Sequence, residues 1–217
     1  MTNRIIHGDC IEAMRQLDAG SAGFILTDPP YITRYRSRDG REVINDDNHE
    51  WLAPAFAQMH RVLRRDAFCV SFYGWPKADL FIAAWKDAGF RIAGHIVFRK
   101  RYASKTAFVQ YRHEQAYLLA KGWPRKPARP PPDVLDWTYT GNKLHPTQKP
   151  LGILKPLIEA FSRPGDIILD PFAGSGSTLL AARELGRSYV GIELDAAHFR
   201  TAADRLAGPK PVCISGA

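Results

Sequence analysis

The fold is decided by the stretch Ile167-Ile168-Leu169-Asp170-Pro171-Phe172-Ala173-Gly174-Ser175-Gly176-Ser177-Thr178. Its three leading apolar residues predict a buried strand, and residues 178–185 have the apolar spacing of a helix. Gly174 and Gly176 carry no Cβ, so a ligand could approach the backbone of the turn between the two elements. Ser177 is predicted to cap the helix. A plain strand-to-helix connection has the same pattern, so other stretches must decide between a binding site and a simple turn.

The rest of the chain alternates between short apolar runs and helical patterns. Strands are predicted at residues 4–9, 24–27, 67–73, 91–98, 115–120 and 189–195, and helices at residues 11–19, 50–64, 77–88, 151–161 and 196–206. Strands that alternate with helices indicate βαβ units and a mostly parallel sheet. Residues 124–132 contain five prolines and are interpreted as a connector, because neither a helix nor a central strand accepts them. The sequence therefore predicts one α/β domain over residues 1–217.

Composition excludes several classes of protein. The 217 residues are 45% hydrophobic, enough for an ordinary globular core. No apolar run reaches the length of a membrane span, and the first residues lack the apolar segment of a secretion signal. The three cysteines lie far apart, which favours a reducing cytoplasm over a disulfide framework or a zinc site. We therefore expect a cytoplasmic protein with no membrane partner and no metal.

The net charge of +8 is concentrated in one part of the chain. Residues 99–149 contain eleven Lys or Arg against three Asp or Glu, which accounts for the whole excess. A local basic concentration is typical of proteins that bind nucleic acid, although a solvated surface would have the same composition. The poorly apolar segment up to residue 48 is interpreted as a long functional loop. It carries four arginines: Arg34, Arg36, Arg38 and Arg41.

A second centre, Asp28-Pro29-Pro30-Tyr31, directly follows the predicted strand at residues 24–27. The carboxylate of Asp28 and the carbonyl groups of the two prolines are hydrogen-bond acceptors, and Tyr31 offers an aromatic surface. This combination suits an exocyclic amine on a flat heterocycle. The alternative is an ordinary turn at the end of a strand, because Asp-Pro and Pro-Tyr are common in turns.

Glu193 ends the predicted strand after the glycine turn, 19 residues beyond Gly174. A carboxylate at this place can accept hydrogen bonds from both hydroxyl groups of a ribose, although a capping carboxylate would have the same position. The turn lacks the third glycine that a pyrophosphate requires. The pattern therefore favours a nucleoside cofactor without a pyrophosphate over NAD or FAD.

Taken together, the motifs resemble those of the S-adenosylmethionine-dependent DNA amino-methyltransferases with the β order of motifs. Residues 28–31 resemble the catalytic tetrapeptide of that family, and residues 170–177 resemble its cofactor turn. His145-Pro146-Thr147-Gln148-Lys149-Pro150 resembles the segment that precedes this turn, and His113-Glu114 resembles another landmark. The resemblance covers nearly all of residues 4–206. It implies a three-layer, mostly parallel Rossmann-like methyltransferase sheet with a circularly permuted motif order.

The resemblance also implies a role for each matching residue. Asp28, Pro29, Pro30 and Tyr31 would be catalytic. Asp9 would accept a hydrogen bond from the adenine amine of the cofactor, although it could instead cap the helix that follows. Lys149 would face the methionine carboxylate, although it could be a surface charge, and His145 could have a packing role. The cofactor-binding residues implied in this way are Asp9, Cys10, Asp28, His145, Thr147, Lys149, Asp170, Phe172, Ala173, Gly174, Ser175, Gly176, Ser177, Thr178 and Glu193.

The implied reaction is methylation of the N6 amine of an adenine base that has been flipped out of duplex DNA. The resemblance favours adenine over cytosine because the tetrapeptide begins with Asp rather than Ser. Segments 32–48 and 99–144 are expected to contact the DNA. The residues expected to bind it are Arg34, Arg36, Arg38, Arg99, Lys100, Arg101, Lys105, Arg112 and Lys143. Tyr102, Phe108, Tyr111, Trp123 or Trp137 could fill the gap left by the base, but packing in the core or at an interface is favoured for each of them.

The interval that carries target recognition in this family is short here, about residues 115–144. We therefore expect a short or relaxed target site, or a homodimer that supplies the remaining contacts. DNA methylation of this kind also occurs in restriction–modification.

Several alternatives remain open at this point. They are cytosine-N4 methylation, a DNA-binding module without catalysis, a nucleotide-linked oxidoreductase, and methylation of RNA or of a protein glutamine amide.

Overall fold

The computed structural model of the protein describes residues 3–34, 44–138 and 149–208. In these ranges the strands are β1 (Arg4–His7), β2 (Ala22–Thr27), β3 (Leu63–Phe72), β4 (Arg91–Arg99), β5 (Lys105–Thr106), β6 (Gln110–Tyr111), β7 (His113–Lys121), β8 (Val134–Asp136), β9 (Ile167–Asp170) and β10 (Ser188–Glu193). The helices are α1 (Cys10–Arg15), α2 (Leu52–Val62), α3 (Ala78–Asp87), α4 (Leu151–Phe161), α5 (Ser177–Glu184) and α6 (Ala196–Ala207).

One eight-stranded sheet organises the described residues, with the strand order β1-β10-β9-β2-β3-β7-β4-β8. The first five strands in this order are mutually parallel. Strand β7 is antiparallel to both of its neighbours, β3 and β4, while β8 is parallel to β4. The sheet is therefore mostly parallel, as the alternation of strands and helices predicts.

Helices cover the sheet on two faces and form two apolar clusters. Strand β2 is buried along its whole length, as expected for a central strand of a parallel sheet. Because side chains alternate along a strand, Ile25 points to the face covered by α1, α2 and α3, whereas Phe24 and Leu26 point to the face covered by α4 and α5. These three layers fix the positions of the strand ends, where the candidate site lies.

The structure corrects the sequence-based predictions at three places. Residues 105–111 form a small hairpin, β5–β6, and residues 134–136 form the edge strand β8, neither of which was predicted. Ser177 does not cap α5: the N-cap residue is Gly176, in a left-handed conformation with φ of 77°, and no side chain caps the helix. Glycine accepts this conformation without strain because it has no Cβ.

Two further observations concern only the ranges given above. No helix there has the length and apolarity that crossing a membrane requires. No cluster of three or more His, Cys, Asp or Glu side chains has a metal-binding arrangement in the same residues. Residues 35–43 of the long arginine loop lie outside the described residues. Residues 139–148, which belong to the basic region, also lie outside them.

Candidate active site

The candidate site is a cavity of about 810 Å³. It is lined by residues at the carboxyl ends of β1, β10, β9 and β2. From β9 the chain continues through α5 to β10 on one side, whereas from β2 it continues through α2 to β3 on the other side. Open α/β sheets bind ligands at such a point, because the two connections diverge and leave a crevice between them. The fold therefore places the glycine turn and the Asp28–Tyr31 segment at the same crevice.

Asp170 ties the two halves of the site together. Its Oδ1 accepts hydrogen bonds from Thr27 Oγ1 on β2, at 3.0 Å, and from the backbone N–H of Phe172, at 3.2 Å. Its carboxyl group also interacts with the side chain of Thr178. Burial raises the pKa of Asp170 to about 7 despite these hydrogen bonds. Asp170 thus holds the glycine turn against the neighbouring strand.

Glu193 supports the glycine turn from β10. Its two carboxylate oxygens accept hydrogen bonds from the backbone N–H of Gly174, at 2.7 Å, and from that of Asp195, at 2.8 Å. Gly174 itself has φ of 51°, a left-handed conformation that favours glycine. Burial raises the pKa of the Glu193 carboxyl group. Each oxygen retains a further lone pair, so Glu193 can still accept from a ligand hydroxyl.

Asp9 lies at the end of β1 and begins α1. Its Oδ1 accepts hydrogen bonds from the backbone N–H groups of Ile11 and Glu12, at 2.9 and 3.0 Å, so Asp9 is the N-cap of α1. It also lines the cavity, together with Gly8 and Cys10. Burial raises the pKa of the Cys10 thiol to about 12, which excludes it as a thiolate nucleophile near neutral pH.

The Asp28–Tyr31 segment forms the opposite wall of the cavity. Asp28 Oδ1 accepts a hydrogen bond of 2.9 Å from the Tyr31 hydroxyl, and Asp28 Oδ2 is paired with the Lys149 ammonium. Burial raises the pKa of the Asp28 carboxyl group, and Lys149 opposes this effect. Burial and the nearby carboxylates raise the pKa of Tyr31 well above its ordinary value, so its hydroxyl stays protonated. The residue after Tyr31, Ile32, has a positive φ of 60°, which is strained for a β-branched side chain.

A second ion pair continues this network. Lys100 Nζ donates to Glu114 Oε1 at 2.5 Å, and Glu114 Oε2 lies 3.3 Å from the Tyr31 hydroxyl. Burial opposes ionisation of Glu114, but Lys149 and Lys100 outweigh it and hold the pKa of the carboxyl group below its ordinary value. The Tyr31 hydroxyl therefore lies between the carboxylates of Asp28 and Glu114, and each of these carboxylates is paired with a lysine. The ring of Trp137 lies beside both ammonium groups, 5.1 Å from Lys100 Nζ and 6.0 Å from Lys149 Nζ.

A family model for N6/N4-type DNA methylases matches residues 23–204, which is most of the chain. The chain belongs to this family of DNA methylases. The predicted family and the general activity of a DNA methyltransferase are thus confirmed. S-adenosylmethionine, the predicted methyl donor, is confirmed at the level of the family.

Two relatives from Escherichia coli (strain K12) illustrate the relationship. The chain is 53% identical to YubD, whose assignment as a methylase is provisional, over 99% of this chain and 95% of the relative. It is 28% identical to the DNA adenine methyltransferase YhdJ, over 93% of this chain and 82% of the relative.

Solved structures agree with the fold of this DNA methylase. M1.HpyAVI in complex with S-adenosylmethionine has a TM-score of 0.74 at 24% identity and covers 94% of this chain and 98% of its own. The cytosine-N4-specific PvuII DNA methyltransferase has a TM-score of 0.75 at 19% identity, with 94% of this chain and 86% of its own covered. The predicted Rossmann-like methyltransferase fold is therefore confirmed.

Most of the predicted cofactor residues of the methylase line the cavity described above. They are Asp9, Cys10, Asp28, Lys149, Asp170, Phe172, Ala173, Gly174, Ser175, Ser177, Thr178 and Glu193. Gly176 does not line it: a Cβ on Gly176 would lie 3.0 Å from the Cβ of Ala202, so this glycine allows α6 to pack closely. Lys149 is 7% exposed, which excludes the alternative of a surface charge. His145 and Thr147 lie outside the described residues.

The predicted DNA-binding residues separate into two groups. Arg34, Arg99, Arg101, Lys105 and Arg112 are exposed, with Arg99 paired to Asp136 at 2.7 Å. Lys100 is 6% exposed and faces the cavity, where its ammonium is paired with Glu114, so it lies apart from the exposed group and its contact with DNA stays a prediction. Arg36, Arg38 and Lys143 lie outside the described residues.

The aromatic side chains of the basic region lie in different environments. Phe108 and Trp123 are exposed rather than packed, whereas Trp137 lines the cavity and Tyr111 stacks on Trp75. The sequence predicts no role for Glu114 beyond its likeness to a family landmark. Its position at the start of the strand β7 was the available signal, because this end of β7 lies beside the carboxyl end of β3. No local sequence pattern distinguishes Lys100 from its exposed basic neighbours. Its partner Glu114 lies 14 residues away, and the fold brings the two together.

Proposed function

We propose that this DNA methylase transfers a methyl group from S-adenosylmethionine to the N6 amine of an adenine flipped out of double-stranded DNA. One observation carries the proposal: the acceptor Asp28 and the aromatic Tyr31 face the same cavity as the glycine turn. The 28% identity to the DNA adenine methyltransferase YhdJ supports adenine as the base. We propose cytoplasmic DNA as the substrate.

The residues of the cavity suit S-adenosylmethionine. Asp9 and Glu193 stand at the ends of neighbouring parallel strands, where acceptors are needed for an adenine amine and a ribose diol. A Cβ at Gly8, whose φ is 151°, would meet nothing within 4 Å, so this part of the wall is open. The volume lies within the range of about 300–1,000 Å³ that is typical of ligand sites. When bound, the cofactor supplies an electrophilic methyl group on a sulfonium.

The proposed roles of the acceptor half follow from its chemistry. The ring of the flipped base would lie against Tyr31, and its amine would donate to Asp28 and to the backbone carbonyl of Pro29. These acceptors make the nitrogen lone pair more available and stabilise the positive charge that develops on it. Lys149 favours the ionised form of Asp28. An ionised carboxylate has no proton to donate, so both of its oxygens accept hydrogen bonds.

Mass spectrometry of DNA treated with the protein and labelled S-adenosylmethionine tests the proposal. We expect the label in N6-methyladenine. Label in N4-methylcytosine would favour the second candidate, because the cytosine amine has the same donor geometry, and would overturn the adenine assignment. RNA and protein acceptors, assayed in parallel, test whether DNA is the preferred substrate.

The Asp28→Ala variant separates catalysis from DNA binding. We expect it to lose methylation and to retain DNA binding, since Asp28 lies inside the cavity rather than on the basic surface. The exposed Asp87→Ala variant, at the end of α3 and outside the cavity, serves as a matched control and should methylate DNA like the wild type. Methylation that survives in Asp28→Ala would contradict the proposed role.

We propose that segments 32–48 and 99–144 contact the DNA and that the target site is short or relaxed. Alternatively, a homodimer supplies the contacts that so short an interval cannot. Mapping of methylated sites, together with the oligomeric state in solution, tests this. A long and stringent site methylated by a monomer would contradict it.

A further inference from the structure

The hairpin β5–β6 projects from the mouth of the cavity. Residues at its base, Lys100 and Tyr102 to Lys105, line the cavity, whereas Phe108 and Val109 form its tip. Phe108 is fully exposed, with a relative accessibility of 104%, and Val109 is 57% exposed. Single exposed apolar residues are common on protein surfaces, but two adjacent ones on a projecting tip indicate a binding surface.

The base of the hairpin is fixed to the rest of the protein. Ser104 N–H donates to Tyr111 O at 2.9 Å, and Lys100 N–H donates to Arg112 O at 2.7 Å. The ring of Tyr111 stacks on Trp75, with ring centroids 5.5 Å apart and planes inclined by 16°. The tip therefore has a defined position relative to Tyr31 and the cavity.

The charges on the hairpin select the partner. Residues 99–112 include five basic residues and no acidic one. Within the described part of the chain, the exposed Arg101, Lys105 and Arg112 form no ion pair with a carboxylate. An apolar tip between basic flanks suits DNA, because the cations contact phosphates while the apolar groups contact bases.

We infer that Phe108 and Val109 form a wedge that enters the duplex at the base step from which the target base leaves. The inference rests on the proposed flipping of the base. Extraction of a base loses its stacking on both neighbours, and an inserted aromatic ring restores part of that stacking. Lys105 and Arg112 would hold the hairpin on the adjacent phosphates.

The test compares duplex and single-stranded oligonucleotides that carry a site methylated by the wild type. Phe108→Ala should lower the rate on the duplex by about tenfold or more, and the rate on the single strand by less than about twofold, since a single strand needs no wedge. Phe108→Trp should retain the duplex rate, because an aromatic ring remains. A mismatch opposite the target should reduce the defect of Phe108→Ala.

Trp123→Ala is the matched comparison. Trp123 is also an exposed aromatic, but it follows the other end of β7, where Arg91 lies over its ring at 4.3 Å. Because Trp123 belongs to the segment proposed to contact DNA, its loss should lower both rates together, if it lowers either, and keep the wild-type ratio of duplex to single-strand methylation. If Phe108→Ala also kept the wild-type ratio of duplex to single-strand methylation, the proposed wedge would be wrong, whether both rates fell or neither did. A change in oligomeric state in Phe108→Ala would overturn it in favour of a subunit contact. If the wild type methylates neither form of DNA, the proposed function itself fails, which is a different result.

Discussion

Gly74 is a single residue on which the position of Tyr31 depends. A Cβ at Gly74 would lie 2.7 Å from the Cβ and 2.8 Å from the backbone oxygen of Tyr31, too close for any real contact. The backbone conformation of Gly74 is ordinary, with φ of −82°, so close packing alone requires glycine here. Gly74 thus allows Tyr31 to take its place in the wall of the cavity.

We predict that Gly74→Ala lowers kcat by about 100-fold, because a displacement of about 1 Å at a reacting centre has this effect. Affinity for S-adenosylmethionine should remain near that of the wild type, and unfolding free energy should fall by about 1 to 3 kcal/mol. The control is Gly152→Ala in α4, where a Cβ meets nothing within 4 Å. It should keep kcat and gain about 0.5–1 kcal/mol of stability. A wild-type kcat in Gly74→Ala would disprove the positioning role.

Asp170 gives a prediction about stability and pH. Its pKa is about 7 in the folded protein, above the ordinary value of 3.8, so its contribution is most favourable below pH 3.8 and is lost as pH rises through 7. A pKa difference of one corresponds to about 1.4 kcal/mol. Asp170→Asn keeps the acceptor for Thr27 and Phe172 and should therefore be more stable than the wild type at pH 8, by about 2 to 4 kcal/mol.

The measurement is the free energy of unfolding between pH 4 and pH 8 for both proteins. The gain in Asp170→Asn should shrink towards pH 4. Asp204→Asn, on the exposed side of α6, tests whether removal of any negative charge has the same effect. A gain in Asp170→Asn that does not change with pH would contradict the assignment.

At the residue scale, the sequence indicated the site but not all of its contacts. The chemistry of Asp28 to Tyr31 and the glycine turn predicted which residues face the cavity. The hydrogen bonds of Asp9 favour the helix cap that the sequence left open. The pairing of Lys149 with Asp28 joins residues 121 positions apart, and no local pattern encodes such a distant contact.

Among the elements, strands β4 and β7 are joined at the cavity by the pair Lys100–Glu114. We predict that Lys100→Met lowers the free energy of unfolding by about 1 to 3 kcal/mol, because the half-buried Glu114 loses its direct ion-pair partner. Lys105→Met, on the exposed hairpin, should change stability by less than about 0.5 kcal/mol and weaken DNA binding.

Thermal unfolding and DNA-binding assays of both variants distinguish the two lysines. The double variant Lys100→Met/Glu114→Leu should recover part of the lost stability, since no charge is then left unpaired. If Lys100→Met unfolded like the wild type but bound DNA as weakly as Lys105→Met, Lys100 would be a DNA contact after all.

The longer elements were predictable and the shortest were not. Helix α4 occupies residues 151–161 as predicted, because its apolar side chains recur at helical spacing. Strands β5, β6 and β8 have two or three residues each, too few for any periodicity to show. They form because a neighbouring strand offers hydrogen-bond partners, and that neighbour is known only from the fold.

For the whole molecule, the distribution of charge leads to a prediction about salt. Replacing Arg101, Lys105 and Arg112 by Gln should reduce the slope of log K against log salt concentration by up to about 2.7, since each phosphate contact contributes about 0.9. The control triple variant replaces Arg15, Arg65 and Arg163, which are exposed at the amino-terminal edge of the parallel strands. Equal slopes in the two variants would show that the hairpin does not bind phosphates.

The reversed direction of β7 has a consequence for how such a protein can change. Because β7 runs antiparallel to β4, the connection between them emerges at the same edge of the sheet as the carboxyl end of β2. Residues can therefore be added to or removed from segment 103–110 without altering the register of any strand in the main sheet. In the proposed complex, the distance to which the tip enters the DNA is thus set by the length of one hairpin, independently of the half of the molecule that carries the glycine turn.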